Sequence, residues 1–355
     1  MRSFNSTSLR IGVVIALLLF QTQPALTQAM FERGVGQGPV AFKQMKQAGE
    51  ITLIHDVEYG RVGDRVLHVE IAMPTRRPNR PMPAVLYFHP GSFVEGSHKK
   101  NWIVFLAKLG YFTASVEYRF STEAKFPAQL EDAQLAVRWL RAHSNEYGID
   151  PNHIAVWGTS AGGMIAQWLG TMRHSDGFPK SGGYDDVDDS VQAVCSFFGV
   201  SDATLDFRVG KSSAVRGIAK KLFGVAYEEN PEVYKTNSPI TYVRSDDPPF
   251  FIVQGALDKV VLPQQGEEMS RALTRARVPH ELIIVKNSGH MWKVKPNGPP
   301  PEPSLSEVQS RAVAFLDHYL CHTSPPRAQS DMRWRSPHLN RQADLPSQPF
   351  RQQSH

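Results

Sequence analysis

The most restrictive feature of the chain is the pentapeptide Gly158-Thr159-Ser160-Ala161-Gly162, which follows an apolar run at 154–157 and precedes a helical run at 164–169. A glycine-x-serine-x-glycine sequence between a strand and a helix predicts a sharp turn. It leaves the serine hydroxyl exposed at the strand's C-terminal end. Such a turn strains the serine backbone, and side chains at 158 and 162 would clash within it. Ser160 is therefore the candidate nucleophile, and a serine hydroxyl needs an adjacent base before it can act as one.

The rest of the chain supplies a frame for this turn. Short apolar runs at 66–72, 84–88, 112–116, 193–198, 250–253 and 282–285 join the one at 154–157. Parallel strands buried on both faces read this way. Helical patterns lie between them, at 101–109, 127–147, 264–275 and 305–320. The clearest is 127–147. Pro127 fits its first helical position, Leu130, Ala133, Val137 and Leu140 share one face, and Gly148 follows as a stop. This alternation predicts an α/β fold with a mostly parallel central sheet and helices on both faces. Residues 200–247 interrupt it and read as a small cap-like insert with a short helix around 215–222.

With such a turn, the acid and then the base are expected later in the chain. His290, in Asn287-Ser288-Gly289-His290 after the run 282–285, is the candidate base. His280 enters the same run from the opposite edge. The acid is expected after the preceding strand, where Gln254-Gly255-Ala256-Leu257-Asp258 places Asp258. Asp202 also follows a strand and is the rival, whereas Asp246 and Asp247 precede theirs. Stabilising an oxyanion takes two backbone N–H groups. Ala161 supplies one and opens a helix, whose dipole favours negative charge. The other is expected from His89-Pro90-Gly91-Ser92-Phe93, after the run 84–88. Pro90 has no N–H, so Gly91 and Ser92 are the donors. The glycines at 34, 36 and 38 have no strand before them and are discounted as a phosphate loop.

The formal charge of +5 does not imply a nucleic-acid partner. Residues 1–29 carry +2, residues 323–355 carry +3, and the remaining charges cancel. Arg2 and Arg10 before an apolar run at 11–20, then Thr27-Gln28-Ala29, predict a signal peptide 1–29 cleaved near Ala29. The run is short of the ~20 apolar residues of a spanning helix. A secreted or periplasmic protein without stable membrane association is expected. Residues 30–322 are read as the folded domain. Residues 323–355, rich in Pro, Gln, Ser and Arg, are read as a disordered tail. Cys195 and Cys321, the two cysteines, are read as two separate buried thiols, and nothing in the sequence resembles a metal site. Asp185, Asp186, Asp188 and Asp189 are read as a solvated loop, Lys99 and Lys100 as a wet helix start, and Trp139, Trp157 and Trp168 as core.

Taken together, the chain from about Asp56 to Leu320 resembles the α/β-hydrolase esterase/lipase superfamily, in particular the feruloyl- and acetyl-esterase-like proteins grouped with hormone-sensitive lipase relatives. The most specific segments are Tyr118-Arg119 through Phe126-Pro127-Ala128-Gln129, Ala136-Val137-Arg138-Trp139-Leu140-Arg141, Tyr147-Gly148-Ile149-Asp150-Pro151 and the serine pentapeptide. The resemblance implies an α/β-hydrolase fold, with Ser160 as nucleophile, Asp258 as acid and His290 as base. It places oxyanion donors at Gly91, Ser92 and Ala161. It departs from the family's usual His-Gly-Gly-Gly at Pro90 and Ser92. The implied activity is carboxylic-ester hydrolysis on small-molecule or polysaccharide-linked esters, with no metal or organic cofactor. Two other classes share the fold. A prolyl-oligopeptidase-like peptidase would resemble a long N-terminal propeller fused to it, and about fifty residues precede the first strand here. A non-catalytic binding protein would lack a member of the triad.

Overall fold

The computed structural model describes residues 50–209 and 213–321. The expected leader at 1–29 and tail at 323–355 lie outside them. Eight strands form one sheet in the order β1-β2-β4-β3-β5-β6-β7-β8. They are β1 (Ile51–Val62), β2 (Arg65–Pro74), β3 (Met82–Phe88), β4 (Phe112–Val116), β5 (Ile149–Thr159), β6 (Ala193–Phe197), β7 (Phe250–Gly255) and β8 (His280–Val285). β2 pairs antiparallel with β1 and β4, and every other pairing is parallel.

The strand sequences account for this order. Every residue of β3, β4, β6 and β7 is buried, as central strands between two helical layers must be. Their side chains alternate between two cores. Leu86, Val156, Val194 and Ile252 face one, with helices α1 (Ala128–Ala142), α3 (Ala161–Thr171) and α7 (Gln264–Ala276) over them. Val85, Ala155, Cys195 and Val253 face the other, under α8 (Leu305–Leu320) and the 3-10 turn Val104–Leu109. The hydroxyl of Ser304 caps α8 by accepting the Glu307 amide at 3.2 Å.

Several local expectations are corrected. The helical pattern at 127–147 is two helices, α1 and the single turn α2 (Ser144–Tyr147). At the break, the His143 ring bonds the Trp139 carbonyl through Nδ1 at 2.8 Å, and Pro127 is the N-cap rather than the first helical residue. The Lys99-Lys100 pair does not start a helix, and Lys99 is ion-paired with Asp56 at 3.0 Å. The acidic loop is only partly solvated. Asp189 meets the fully buried guanidinium of Arg138 at 3.3 Å, and Arg138 also donates to the Ser181 and Gly183 carbonyls. Cys195 and Cys321 are separate thiols, but only Cys195 is buried and Cys321 is half-exposed at the end of α8; all three tryptophans are core.

The motif Tyr118-Arg119 acquires a structural reason. The carboxylate of Asp132, buried in α1, accepts both the Arg119 amide at 2.8 Å and its Nε at 2.9 Å. This fixes the chain leaving β4 against α1. Residues 200–247 hold α4 (Leu205–Val209), α5 (Ser213–Phe223) and α6 (Pro231–Thr236). An aromatic cluster joins them, in which Phe207 stacks on Tyr227 at 4.1 Å and both edge Tyr234. Among the described residues no helix is long and apolar enough to cross a membrane.

Candidate active site

Ser160 joins β5 to α3 with φ 56° and ψ −116°, a conformation costly for any residue with a side chain. The turn closes so tightly that a Cβ at Gly158 would lie 1.8 Å from the Gly162 carbonyl oxygen. One at Gly162 would lie 2.0 Å from that of Phe88. Only glycine fits either position. The Ser160 amide donates to the Phe197 carbonyl at 2.8 Å, fastening the turn to β6.

The candidate acid and base arrive on the loops after β7 and β8. Backbone bonds knit these loops together: the Ala256 amide donates to Val285 at 2.9 Å and the Leu257 amide to Ser288 at 2.8 Å. His290 Nε2 lies 2.9 Å from Ser160 Oγ, and His290 Nδ1 lies 2.8 Å from Asp258 Oδ2. The other oxygen, Asp258 Oδ1, accepts the amides of Val260 and Val261 at 2.8 and 2.9 Å. With both oxygens engaged, the buried carboxylate is held in one orientation. An N–H at Nδ1 directed to Asp258 leaves Nε2 as the acceptor for the serine proton.

The rival residues are occupied elsewhere. Asp202 accepts the Thr204 amide and hydroxyl and pairs with Arg208. His280 bonds Ser270 at 2.9 Å at the opposite end of β8. Asp246 and Asp247 pair with Arg173.

Ala161 opens α3, an 11-residue helix. The loop after β3 turns at Gly91, where φ is 138° and a Cβ would meet the Glu95 carbonyl oxygen at 1.7 Å. The Gly91 carbonyl accepts the amides of Val94 and Glu95, both at 3.0 Å. Among the described residues, no protein acceptor takes the amides of Gly91, Ser92 or Ala161. All three retain the donor capacity that an oxyanion needs.

His89 and Tyr118, which the sequence did not single out as site residues, hold this loop. The His89 ring stacks on Tyr118 at 4.4 Å. Its Nδ1–H donates to the Pro90 carbonyl at 2.8 Å, and the Tyr118 hydroxyl donates to the His89 carbonyl at 2.9 Å. Burial holds the imidazole's pKa down to about 4, so the ring is neutral near pH 7. The only sequence signal for this pair was the occurrence of both residues in matching segments.

A strand-to-helix serine turn at the carboxyl edge of a mostly parallel sheet, with histidine and aspartate hydrogen-bonded in series behind it, defines the α/β-hydrolase class. Within that class the chain belongs to the BD-FAE family, whose model matches residues 69–273. It is 30% identical over 218 residues to the probable carboxylic ester hydrolase LipM of Mycobacterium tuberculosis, a match covering 59% of this chain and 49% of that one. The chain thus spans about half the length of the curated relatives it matches. Among solved structures, a truncated carbohydrate esterase from gut microbiota superposes with a TM-score of 0.62 at 21% identity, over 81% of this chain and 100% of that one. The propionate-bound esterase Est2 of Thermogutta terrifontis gives 0.61 at 21% identity, over 81% and 98%. Likeness at this identity concerns the fold.

Proposed function

We propose that the chain is a carboxylic-ester hydrolase working through an acyl-enzyme on Ser160. The observation that carries this reading is the uninterrupted hydrogen-bond series Asp258–His290–Ser160, at 2.8 and 2.9 Å. In the proposed cycle, His290 Nε2 takes the hydroxyl proton as Ser160 Oγ attacks the ester carbonyl. The amides of Ala161 and of Gly91 or Ser92 receive the oxyanion. Asp258 stabilises the imidazolium, which gives its proton to the departing alcohol. Water, deprotonated by the same imidazole, then releases the acid. The activity named for the relatives supports this direction.

The substrates we propose are short-acyl esters, carbohydrate-linked ones included, met outside the cytoplasm after removal of the leader. A long acyl chain needs a wide apolar groove. Here the insert is packed down on the body of the domain: Phe223 of α5 lies against Phe126 at 6.0 Å, and the Leu222 carbonyl accepts the Phe126 amide at 3.0 Å. Phe93, beside the proposed oxyanion donors, is buried 5.7 Å from Trp168. The propionate in the Thermogutta esterase is in keeping with a small acyl group. The test is a series of nitrophenyl esters of rising chain length, with acetylated xylan and methyl ferulate alongside. Acetyl or butyryl esters should give the highest kcat/KM, and a maximum at about twelve carbons or more would overturn the short-acyl reading. Ser160→Ala should lower kcat by about 10⁶-fold. Turnover near wild type would remove Ser160 from the mechanism.

A further inference from the structure

Far from the serine turn in sequence, three ligand-bearing side chains converge. Asp56 of β1, Glu70 of β2 and His98 each offer an atom, all within 4.8 Å of one another. His98 lies on the loop that begins at His89 and carries Gly91 and Ser92. Its Nε2 stands 3.7 Å from Asp56 Oδ1 and 3.9 Å from Glu70 Oε1.

These carboxylates alone would be an ordinary acidic pair. Lys99 neutralises Asp56 at 3.0 Å, and Glu70 takes the Asp56 amide at 3.1 Å and a contact from His55 Nδ1. The discordant atom is His98 Nε2. The side chain is only 9% exposed, yet Nε2 is buried without a hydrogen-bond partner. Bearing a proton, it is too far from either carboxylate for a hydrogen bond. Without one, it turns a lone pair toward two anionic oxygens. Buried polar atoms are normally satisfied, and an exception calls for a cause.

We infer that Asp56, Glu70 and His98 bind a divalent transition-metal ion, with zinc the best match, and that this ion pins the loop carrying the proposed oxyanion donors to the β1–β2 hairpin. One imidazole nitrogen and two carboxylate oxygens form a donor set suited to zinc. Tetrahedral zinc with bonds near 2.0–2.2 Å places its ligands about 3.4 Å apart. The observed distances from His98 Nε2 exceed this by about 0.3 and 0.5 Å, and all three ligand atoms lie within 4.8 Å of one another. A cation between the three atoms resolves both problems at Nε2, because it accepts the lone pair and neutralises the oxygens it faces. Water, or His55 after a rotation, completes the shell. The Lys99 ammonium competes for Asp56 and is the weaker partner. The sequence conceals this site because its ligands are 14 and 28 residues apart on three separate elements.

The experiment is calorimetric titration of the chelator-stripped full chain with zinc chloride, repeated with cobalt(II) while visible absorption is recorded. The expected result is one ion per chain at this site, with four-coordinate cobalt bands. His98→Ala and Glu70→Gln should each weaken it at least tenfold, and Lys99→Met should tighten it at least threefold by removing the competing charge. Failure of both wild type and Lys99→Met to bind zinc would overturn the inference. So would binding that His98→Ala leaves unchanged, since the ion would then sit elsewhere. If His98→Ala does not fold, the exposed Lys99→Met variant decides, and an unchanged affinity there counts against the site.

Discussion

Acidification should remove the stability that the buried, neutral His89 contributes to the fold. In the unfolded chain its imidazole has the ordinary value of 6.5, and in the fold it is held down to about 4 because the charged form would be buried. Between those values the unfolded chain binds a proton that the folded one refuses. Stability is therefore full above pH 6.5 and is lost as the pH falls toward 4. The gap of about 2.5 on the pH scale, at about 1.36 kcal/mol each, sets the size. The cost is about 2 kcal/mol at pH 5 and about 3 kcal/mol at pH 4. Asp132, Asp206 and Asp247, each raised to about 6 by burial, pull the opposite way over the same range. The His89 contribution must therefore be read as a difference. Urea unfolding of wild type and His89→Gln at pH 7, 6, 5 and 4 supplies it. Glutamine does not titrate, so its lost stacking on Tyr118 is an offset that does not vary with pH. The advantage of the wild type should shrink by about 3 kcal/mol across the series. Parallel curves for the two proteins would refute the reasoning.

Ser160→Gly should be more stable than Ser160→Ala by about 1 kcal/mol, because only glycine relaxes at φ 56°. The usual order, alanine above glycine in urea unfolding, would show that the turn stores no strain. Asp258→Asn should lower kcat by about 10⁴-fold by presenting the wrong partner to His290 Nδ1, while Asp202→Asn, which only loosens Arg208, should stay within a few-fold. Equal losses in ester hydrolysis would reverse the assignment of the acid. Exported protein should begin near Met30, which N-terminal sequencing decides, and an intact Met1 in a membrane fraction would remove the leader from the account.

What the sequence made legible was whatever depends on burial and local order. The central strands could be read because a strand covered on both faces must be apolar throughout. Asp258 could be preferred to Asp202 from its place after the penultimate strand. β1 escaped notice because it is an edge strand with most residues exposed or half-exposed, and it carries His55, Asp56, Glu58 and Arg61 where an alternating apolar face would be sought. Its pairing with β2 is also irregular, with register shifts between Ile54 and Val57 and between Glu58 and Gly60. The partners of Arg138 and Arg119 were illegible for another reason. Arg138 reaches a carboxylate 51 residues ahead, and nothing in a local pattern records a contact made by chain return. The support of the loop by His89 and Tyr118 is of the same kind, with strands β3 and β4 bringing the two rings together.

The separation of 130 residues between Ser160 and His290 has a consequence for timing. The serine turn needs β5, α3 and the β6 carbonyl of Phe197 that fastens it, but the histidine follows β8, the edge strand that is synthesised last. At about 5–20 residues per second, a ribosome exposes the serine roughly 7–26 s before the histidine emerges. Throughout that interval the nascent chain holds an unactivated hydroxyl. Any chemistry at Ser160 that depends on His290 must wait until β8 and the loop after it have emerged, so the last strand to be synthesised also arms the site.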